Sequence, residues 1–308
     1  MKSKLFKSGF ALPLLAFLIL VCYANKSFSQ TVATGTITYQ TFYDDLSPYG
    51  AWIDYPGYGN VWSPSGIDDF SPYVTNGNWV YSDAGWAWES GYDWGWAPFH
   101  YGRWFYDDNY GWLWVPGYVW SPAWVTWGSF GDDFCWAPLL PDVYAGAQFG
   151  SWRAPAFYWN FCDRAHIYDR NLSGFVQRGG AHINDVGRIS IINNFKMTRH
   201  HNQYYSGGPE LNEVERYTKD RISTVSIKDV HQKGRSTHVG NTLNVYRPTV
   251  QSREPMPSQY RSVQPEKIKP IFHDEQPRVQ RQAQQQNIRQ LPVQRNPVPN
   301  SGGRPGRR

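Results

Sequence analysis

The residues with the strongest binding chemistry in this 308-residue chain are its sixteen tryptophans, which all lie between Trp52 and Trp159. Indole faces stack on sugar rings and on quaternary ammonium groups, so an exposed set would form a binding platform. Four tryptophans in two matching segments are the candidates: Trp86, Trp88, Trp112 and Trp114. For most of the tryptophans the composition favours a place in the core, because leucine, isoleucine and valine are scarce between residues 40 and 160, and exposed platforms are the rival interpretation.

A second candidate site is a polar patch among these aromatics, made of His100, Tyr101 and Arg103. The alternative for His100 is a hydrogen-bonded imidazole in a turn. The sequence carries no Ser-His-Asp set, no nucleophilic Cys-His pair and no phosphate-binding glycine loop at a recognisable spacing. We therefore predict that the protein is not an enzyme and needs no cofactor.

Paired carboxylates recur, but each pair falls in a predicted turn, where aspartate is favoured because it bonds the local backbone. The pairs are Asp44-Asp45, Asp68-Asp69, Asp107-Asp108 and Asp132-Asp133. A glycosidase needs two carboxylates on opposite sides of a sugar, which adjacent turn residues do not supply. The adjacent His200 and His201 would point to opposite faces of a strand, so we also predict no metal site.

Residues 1–29 have the pattern of a secretory signal peptide. Lysines at the start precede an apolar run over residues 10–23, and Ser27 and Ser29 occupy the −3 and −1 positions of a cleavage site. The run is shorter than the ~20 apolar residues that span a bilayer. An uncleaved anchor and a lipoprotein attached through Cys22 are the alternatives. We expect an exported protein that is periplasmic or associated with the outer envelope.

Export would leave the mature chain with two cysteines, Cys135 and Cys162. An even pair in an oxidising compartment predicts a disulfide bond, which would stabilise the fold mainly by restricting the unfolded chain. Two buried free thiols are the alternative.

Two matching segments, residues 77–94 and 102–120, must position these side chains. In each, aromatic runs that alternate with a period of two flank a short turn of Asp, Asn and Gly, which predicts a β-hairpin. The predicted register places two aromatic pairs on one face of each hairpin: Trp79–Trp88 and Tyr81–Trp86, then Trp104–Trp114 and Tyr106–Trp112. The opposite faces carry smaller or aliphatic residues and one phenyl ring: Val80 and Ala87, then Phe105 and Leu113.

Four Trp-Ser-Pro or Trp-Ala-Pro tripeptides punctuate the region, and each is predicted to end a strand or mark an edge, because proline has no N–H to donate. They begin at Trp62, Trp96, Trp120 and Trp136. Together with the stretches at residues 46–52, 95–104 and 120–127, they resemble DUF6600, an exported bacterial domain of unknown function. The resemblance covers roughly residues 40–250. It implies no catalytic residues, because that family has no established activity.

The composition divides the chain into a signal peptide (1–29), a Trp-rich β-hairpin repeat domain (30–180), a strand-helix-strand extension (181–250) and a Gln/Arg/Pro-rich tail (251–308). The tail has eleven Lys or Arg against four Asp or Glu, and too few apolar residues to form a core, so we predict that it is disordered. The predicted fold class is all-β: tandem aromatic β-hairpin repeats, a small α+β extension and a disordered basic C-terminal tail.

These features predict a non-catalytic structural or interaction protein of the cell envelope. The alternative is a carbohydrate- or peptidoglycan-binding module that uses exposed tryptophan platforms. The partner would be an envelope polymer, either peptidoglycan or another polysaccharide, or an envelope protein. The basic tail would contact an anionic surface, or would simply solubilise the chain. Nucleic acid is not an expected partner of an exported protein.

Overall fold

The computed structural model describes residues 35–141, 153–182, 184–198 and 203–251. The predicted signal peptide and residues 252–308 of the predicted tail lie outside these ranges. Within the described residues, no helix combines the length and the apolar character needed to cross a membrane.

Short strands dominate the described chain, so the predicted all-β class is confirmed. The helices are α1 (Tyr39–Leu46) and α2 (Leu211–Val214). The strands up to residue 138 are β1 (Thr36–Ile37), β2 (Gly50–Tyr55), β3 (Gly59–Pro64), β4 (Gly77–Ser82), β5 (Gly85–Ser90), β6 (Tyr101–Asp107), β7 (Gly111–Trp120), β8 (Val125–Phe130) and β9 (Asp133–Pro138). The later strands are β10 (Asn160–Asp163), β11 (Val176–Arg178), β12 (Ser190–Ile191), β13 (Phe195–Met197), β14 (Tyr204–Ser206), β15 (Ser226–Asp229), β16 (Thr237–Val239), β17 (Thr242–Val245) and β18 (Thr249–Val250).

Four consecutive hairpins each pair a tryptophan on the first strand with one directly opposite on the second. The pairs are Trp52–Trp62, Trp79–Trp88, Trp104–Trp114 and Trp127–Trp136. The predicted registers of β4–β5 and β6–β7 are confirmed at every aromatic pair. The fourth hairpin, β8–β9, is hard to recognise in the sequence because its second aromatic pair is replaced by Ser129 opposite Phe134.

The hairpins belong to three separate sheets. β2–β3 and β6–β7 form a four-stranded sheet in the order β2-β3-β7-β6, while β4–β5 stands as a two-stranded sheet. β8–β9 lies inside a five-stranded sheet in the order β11-β10-β9-β8-β12. One strand that follows residue 181, β12, therefore takes part in the same sheet as the hairpin β8–β9.

Aromatic rings from all three sheets form the core, and every tryptophan in the described ranges except the half-buried Trp120 is buried. Trp79 lies at the centre of these contacts. Its ring centroid is 4.6 Å from that of Trp127, 5.1 Å from that of Trp88 and 5.8 Å from that of Trp136, in tilted or edge-to-face geometry. Such aromatic pairs each contribute about 0.5–1.5 kcal/mol beyond the area that they bury.

The opposite faces of the hairpins form smaller apolar clusters. Val80 and Ala87 pack against Val225, Leu243 and Val245, so the sheet β15-β17-β16 covers the outer face of β4–β5. On the four-stranded sheet, the outer cluster consists of Ile53, Val61, Phe105 and Leu113.

Backbone segments from elsewhere in the chain pair with both edges of β4–β5. On β5, the N–H of Trp86 donates to the carbonyl of Gly207, and the N–H of Trp88 donates to that of Pro122. On β4, the carbonyl of Tyr81 accepts from the N–H of Val225. Segments of the same chain therefore cover part of each edge of the two-stranded sheet.

Three of the four Trp-Ser/Ala-Pro tripeptides end strands as predicted, since β3 ends at Pro64, β7 at Trp120 and β9 at Pro138. The remaining tripeptide, which begins at Trp96, lies in the turns between β5 and β6.

Glycines at the start of the first two hairpins lie directly against the indole of the opposite strand. A Cβ atom at Gly77 would lie 2.5 Å from Cζ2 of Trp88, and one at Gly50 would lie 2.7 Å from Cε2 of Trp62. Cβ atoms do not approach other atoms so closely, so any larger residue would displace the ring.

Replacing Gly77 by alanine is expected to lower the free energy of unfolding by about 1–3 kcal/mol, because the added methyl group overpacks the core against Trp88. Gly187→Ala is the matched control, since a Cβ atom there has no atom within 4 Å. Urea unfolding followed by tryptophan fluorescence would measure both. Equal stability of the two variants would contradict the close packing at Gly77.

Candidate functional site

The four tryptophans predicted as ligand platforms lie inside the protein. The exposed fractions are 1% for Trp86, 0% for Trp88, 9% for Trp112 and 0% for Trp114. The prediction of exposed platforms at these positions is therefore wrong. The physical reason is that the tryptophan faces of the hairpins supply the core, which the scarce aliphatic residues of this region do not fill.

His100 and Tyr101 are also buried, at 3% and 1% exposure, so they do not form a surface patch with Arg103. The Nδ1 atom of His100 lies 3.0 Å from the carbonyl oxygen of Ser121 and acts as the donor of that hydrogen bond in the neutral ring. The hydroxyl of Tyr101 donates to the carbonyl of Pro248 over 2.6 Å. Both side chains therefore tie distant backbone segments to the tryptophan-rich region.

Arg103 is half-buried, with its guanidinium carbon 3.5 Å from the ring centroid of Trp124. The indole of Trp124 in turn donates to the backbone carbonyl of His100 over 3.0 Å. A cation over an indole face is a stabilising contact, so the predicted polar patch is part of the packing.

Burial, with a smaller contribution from the nearby Arg247 cation, lowers the pKa of His100 from its ordinary value of 6.5 to about 4, against the opposing effect of backbone hydrogen bonds. The Nε2 atom of His100 has no hydrogen-bond partner among the described residues. An added proton there would be a buried, unpaired charge.

The predicted disulfide is absent, because Cys135 and Cys162 are both free and buried. Cys135 lies opposite Phe161 on the paired strands β9 and β10, and Cys162 lies opposite Phe134. Successive side chains alternate between the faces of a sheet, so the two thiols point to opposite faces and do not meet. Burial raises the pKa of both thiols, that of Cys162 to about 12.

A polar groove with a volume of about 350 Å³ opens between β4–β5 and the neighbouring sheet β15-β17-β16. Its principal side chains are Asn76, Asn78, Glu89, Arg170, Arg235 and His238. We refer to these residues as the polar groove.

The polar groove continues the apolar contact between the two sheets. Asn78 and Glu89 lie opposite each other, two positions along from the buried pair Val80 and Ala87 and on the same hairpin face. His238 lies opposite Leu243 on the adjacent sheet and therefore shares the face that packs against the hairpin. The contact between the two sheets is therefore apolar at Val80 and Ala87 and polar at Asn78 and Glu89.

Ionisable side chains line the groove, and its two arginines have at most weak partners among the described residues. Nδ1 of His238 lies 3.2 Å from Oε2 of Glu89, and the two side chains are 29% and 19% exposed. Nε of Arg235 lies 3.9 Å from Oδ1 of Asp93, at the outer limit of an ion pair. Arg170 is exposed and makes no ion pair or hydrogen bond with another described residue.

Sequence reasoning alone did not identify this groove. The confirmed register of β4–β5 does carry one signal, because it places Asn78 opposite Glu89 on a face that is otherwise apolar. Arg170, Arg235 and His238 come from distant parts of the chain, and no local pattern marks them. The part of the chain that the structure describes holds no group of three or more His, Cys, Asp or Glu arranged for a metal ion.

The two thiols are expected to resist a thiol reagent in the folded protein and to react together on unfolding, because both are buried and their pKa values are raised. Reagent uptake with and without denaturant, followed by mass spectrometry, would measure this. A reductant should leave the unfolding temperature unchanged. A mass that is two protons short of the reduced chain would show that a bond has formed.

The contribution of neutral His100 to the free energy of unfolding is expected to be fully present above pH 6.5. It is expected to be lost as the pH falls towards the folded-state pKa of about 4. In this window the unfolded chain binds a proton that the folded protein does not, so the free energy of unfolding falls by up to about 1.4 kcal/mol per pH unit. His100→Asn keeps a donor for Ser121 and removes the titration. Denaturant unfolding between pH 7 and 4.5 should give a shallower slope for the variant, whereas parallel slopes would contradict the prediction.

The hairpin region is the part of the chain that matches a known protein family. Residues 43–143 match a family of unknown function, DUF6600. No curated protein and no solved structure matches the chain. The matched span runs from α1 to just beyond β9 and contains all four tryptophan-paired hairpins. The predicted resemblance is therefore confirmed over this span, where residues 43–143 match the DUF6600 family of unknown function.

Proposed function

We propose that the protein is a non-catalytic, exported interaction protein of the cell envelope. In this proposal the hairpin region is a rigid body, and the basic C-terminal tail is the arm that contacts an anionic envelope polymer. The observation that carries the proposal is the burial of the tryptophans, because rings that make up a core act as structure and leave contact to other parts of the chain.

The charge distribution supports the tail as the contact arm. Residues 251–308 carry eleven Lys or Arg against four Asp or Glu, while the whole chain has a formal net charge of only +5. The rest of the chain is therefore close to neutral or slightly acidic. A cationic segment attached to such a body directs it towards polyanions.

The attachment point of the tail is fixed to the folded body. β18 pairs in parallel with β1, and the N–H of Gln251 donates to the carbonyl of Ile37 over 2.9 Å. The hydroxyl of Tyr101 holds the adjacent Pro248. Binding through the tail would therefore be transmitted to the aromatic body.

Carbohydrate binding through stacked tryptophans, the alternative function, loses the support of Trp86, Trp88, Trp112 and Trp114, because these rings are buried. The polar groove is a separate surface on which a saccharide could bind without them.

The mature chain is expected to sediment with purified peptidoglycan, and deletion of residues 252–308 should reduce the bound fraction several-fold. A chain of full length whose tail lysines and arginines are replaced by glutamine is the matched control. The truncated chain and the glutamine variant should show the same reduced bound fraction, because the attraction arises from charge. Binding of the mature chain should also fall at about 1 M salt, where the Debye length is about 3 Å.

A neutral-tail variant that sediments as well as the unaltered chain would show that the tail only solubilises the protein. Failure of every form to bind would remove peptidoglycan as the partner. Anionic lipid vesicles, used in the same sedimentation assay, separate a lipid surface from the polymer.

A further inference from the structure

The polar groove offers hydrogen-bonding groups of both kinds. The carboxylate of Glu89 accepts hydrogen bonds, the guanidinium groups of Arg170 and Arg235 donate them, and the side-chain amides of Asn76 and Asn78 do both. A ligand with many hydroxyl groups matches this mixture, because each hydroxyl is at once a donor and an acceptor.

The two weakly paired guanidinium groups of the groove favour a ligand that also carries an anion. Glu89 already has a partner in His238, at 3.2 Å. Arg170 has none among the described residues, and Arg235 is held only loosely by Asp93, at 3.9 Å. A guanidinium group binds a carboxylate through two parallel hydrogen bonds, which is stronger than a contact with a neutral group.

The size and position of the groove limit the ligand to a small unit. A volume of about 350 Å³ is near the lower end of the range for small-molecule sites. The groove is open to solvent at the margin of two packed sheets, so a longer polymer could continue beyond it. The buried contacts of Val80 and Ala87 with Leu243 fix the two walls relative to each other.

From these observations we propose that the polar groove binds one acidic sugar unit of an envelope polysaccharide. Arg170 and Arg235 hold the carboxylate, and Asn78 and Glu89 hydrogen-bond the ring hydroxyls. The proposal rests on the proposed function only in taking an envelope polymer as the ligand, because the groove and the tail are separate parts of the chain.

The test is calorimetric titration of the full mature chain with a trimer of glucuronic acid, with the neutral trimer of glucose and with glycerol phosphate. The acidic trimer should bind most tightly. Arg170→Gln should weaken its binding about tenfold, the value of a lost charge-assisted hydrogen bond. Arg221→Gln is the matched control, because Arg221 is also exposed and does not line the groove.

Each of the remaining outcomes would overturn the proposal. Equal binding of the acidic and neutral trimers would remove the role of the carboxylate, and tighter binding of glycerol phosphate would assign the groove to a phosphate. Equal losses in the two arginine variants would indicate a general charge effect. The chain with the neutral tail should retain the binding of the acidic trimer, so loss there, with Arg170→Gln unaffected, would assign that binding to the tail.

Discussion

The structure depends on cross-strand pairs of tryptophan that point towards a common interior. Each of the four hairpins presents such a pair, and all four pairs belong to one buried cluster, in which Trp79 joins the pair on β4–β5 to the pair on β8–β9. Large rigid rings fill volume that leucine and valine fill in most domains, and they lose little conformational freedom when they are buried. The requirement for close approach of rings and backbone then explains the glycines against Trp62 and Trp88, since no other residue leaves room for the opposite indole.

The indole N–H groups add a second constraint, because a buried donor needs an acceptor. Several of them donate to backbone carbonyls far away in the sequence, such as Trp86 to Pro209 and Trp136 to Tyr73, and these bonds fasten irregular segments to the hairpins. The innermost indoles, those of Trp79, Trp88 and Trp127, have no such acceptor among the described residues. Their N–H groups face a core made mainly of rings, which provide at most weak acceptors. At the centre of the molecule, these three indoles therefore make aromatic contacts but no hydrogen bonds through their N–H groups within the described part of the chain.

Local pattern predicted the parts of this fold that are local in sequence. The period of two and the turn residues were sufficient to place Trp79 opposite Trp88 and Trp104 opposite Trp114. Whether those faces point inward or outward depends on how the sheets pack, which the pattern of one hairpin does not show. The scarcity of aliphatic residues between 40 and 160 did indicate the core, and the platform interpretation of the four tryptophans was wrong. The cysteine prediction failed for a related reason, because the pairing of β9 with β10 decides which face each thiol occupies. The polar groove joins residues as distant as Asn76 and His238, which only tertiary packing brings together.

The parallel pairing of β1 with β18 has a mechanical consequence. The described body begins just before Thr36, at the start of one strand, and ends just after Val250, at the finish of its parallel neighbour. A pull applied between the two chain ends would therefore slide these strands past each other along their length and load all their hydrogen bonds at once. The aromatic interior would carry little of that load until the paired strands β1 and β18 separated. If one end is tethered and the other grips a polymer, this two-residue pair sets the force at which the body begins to open.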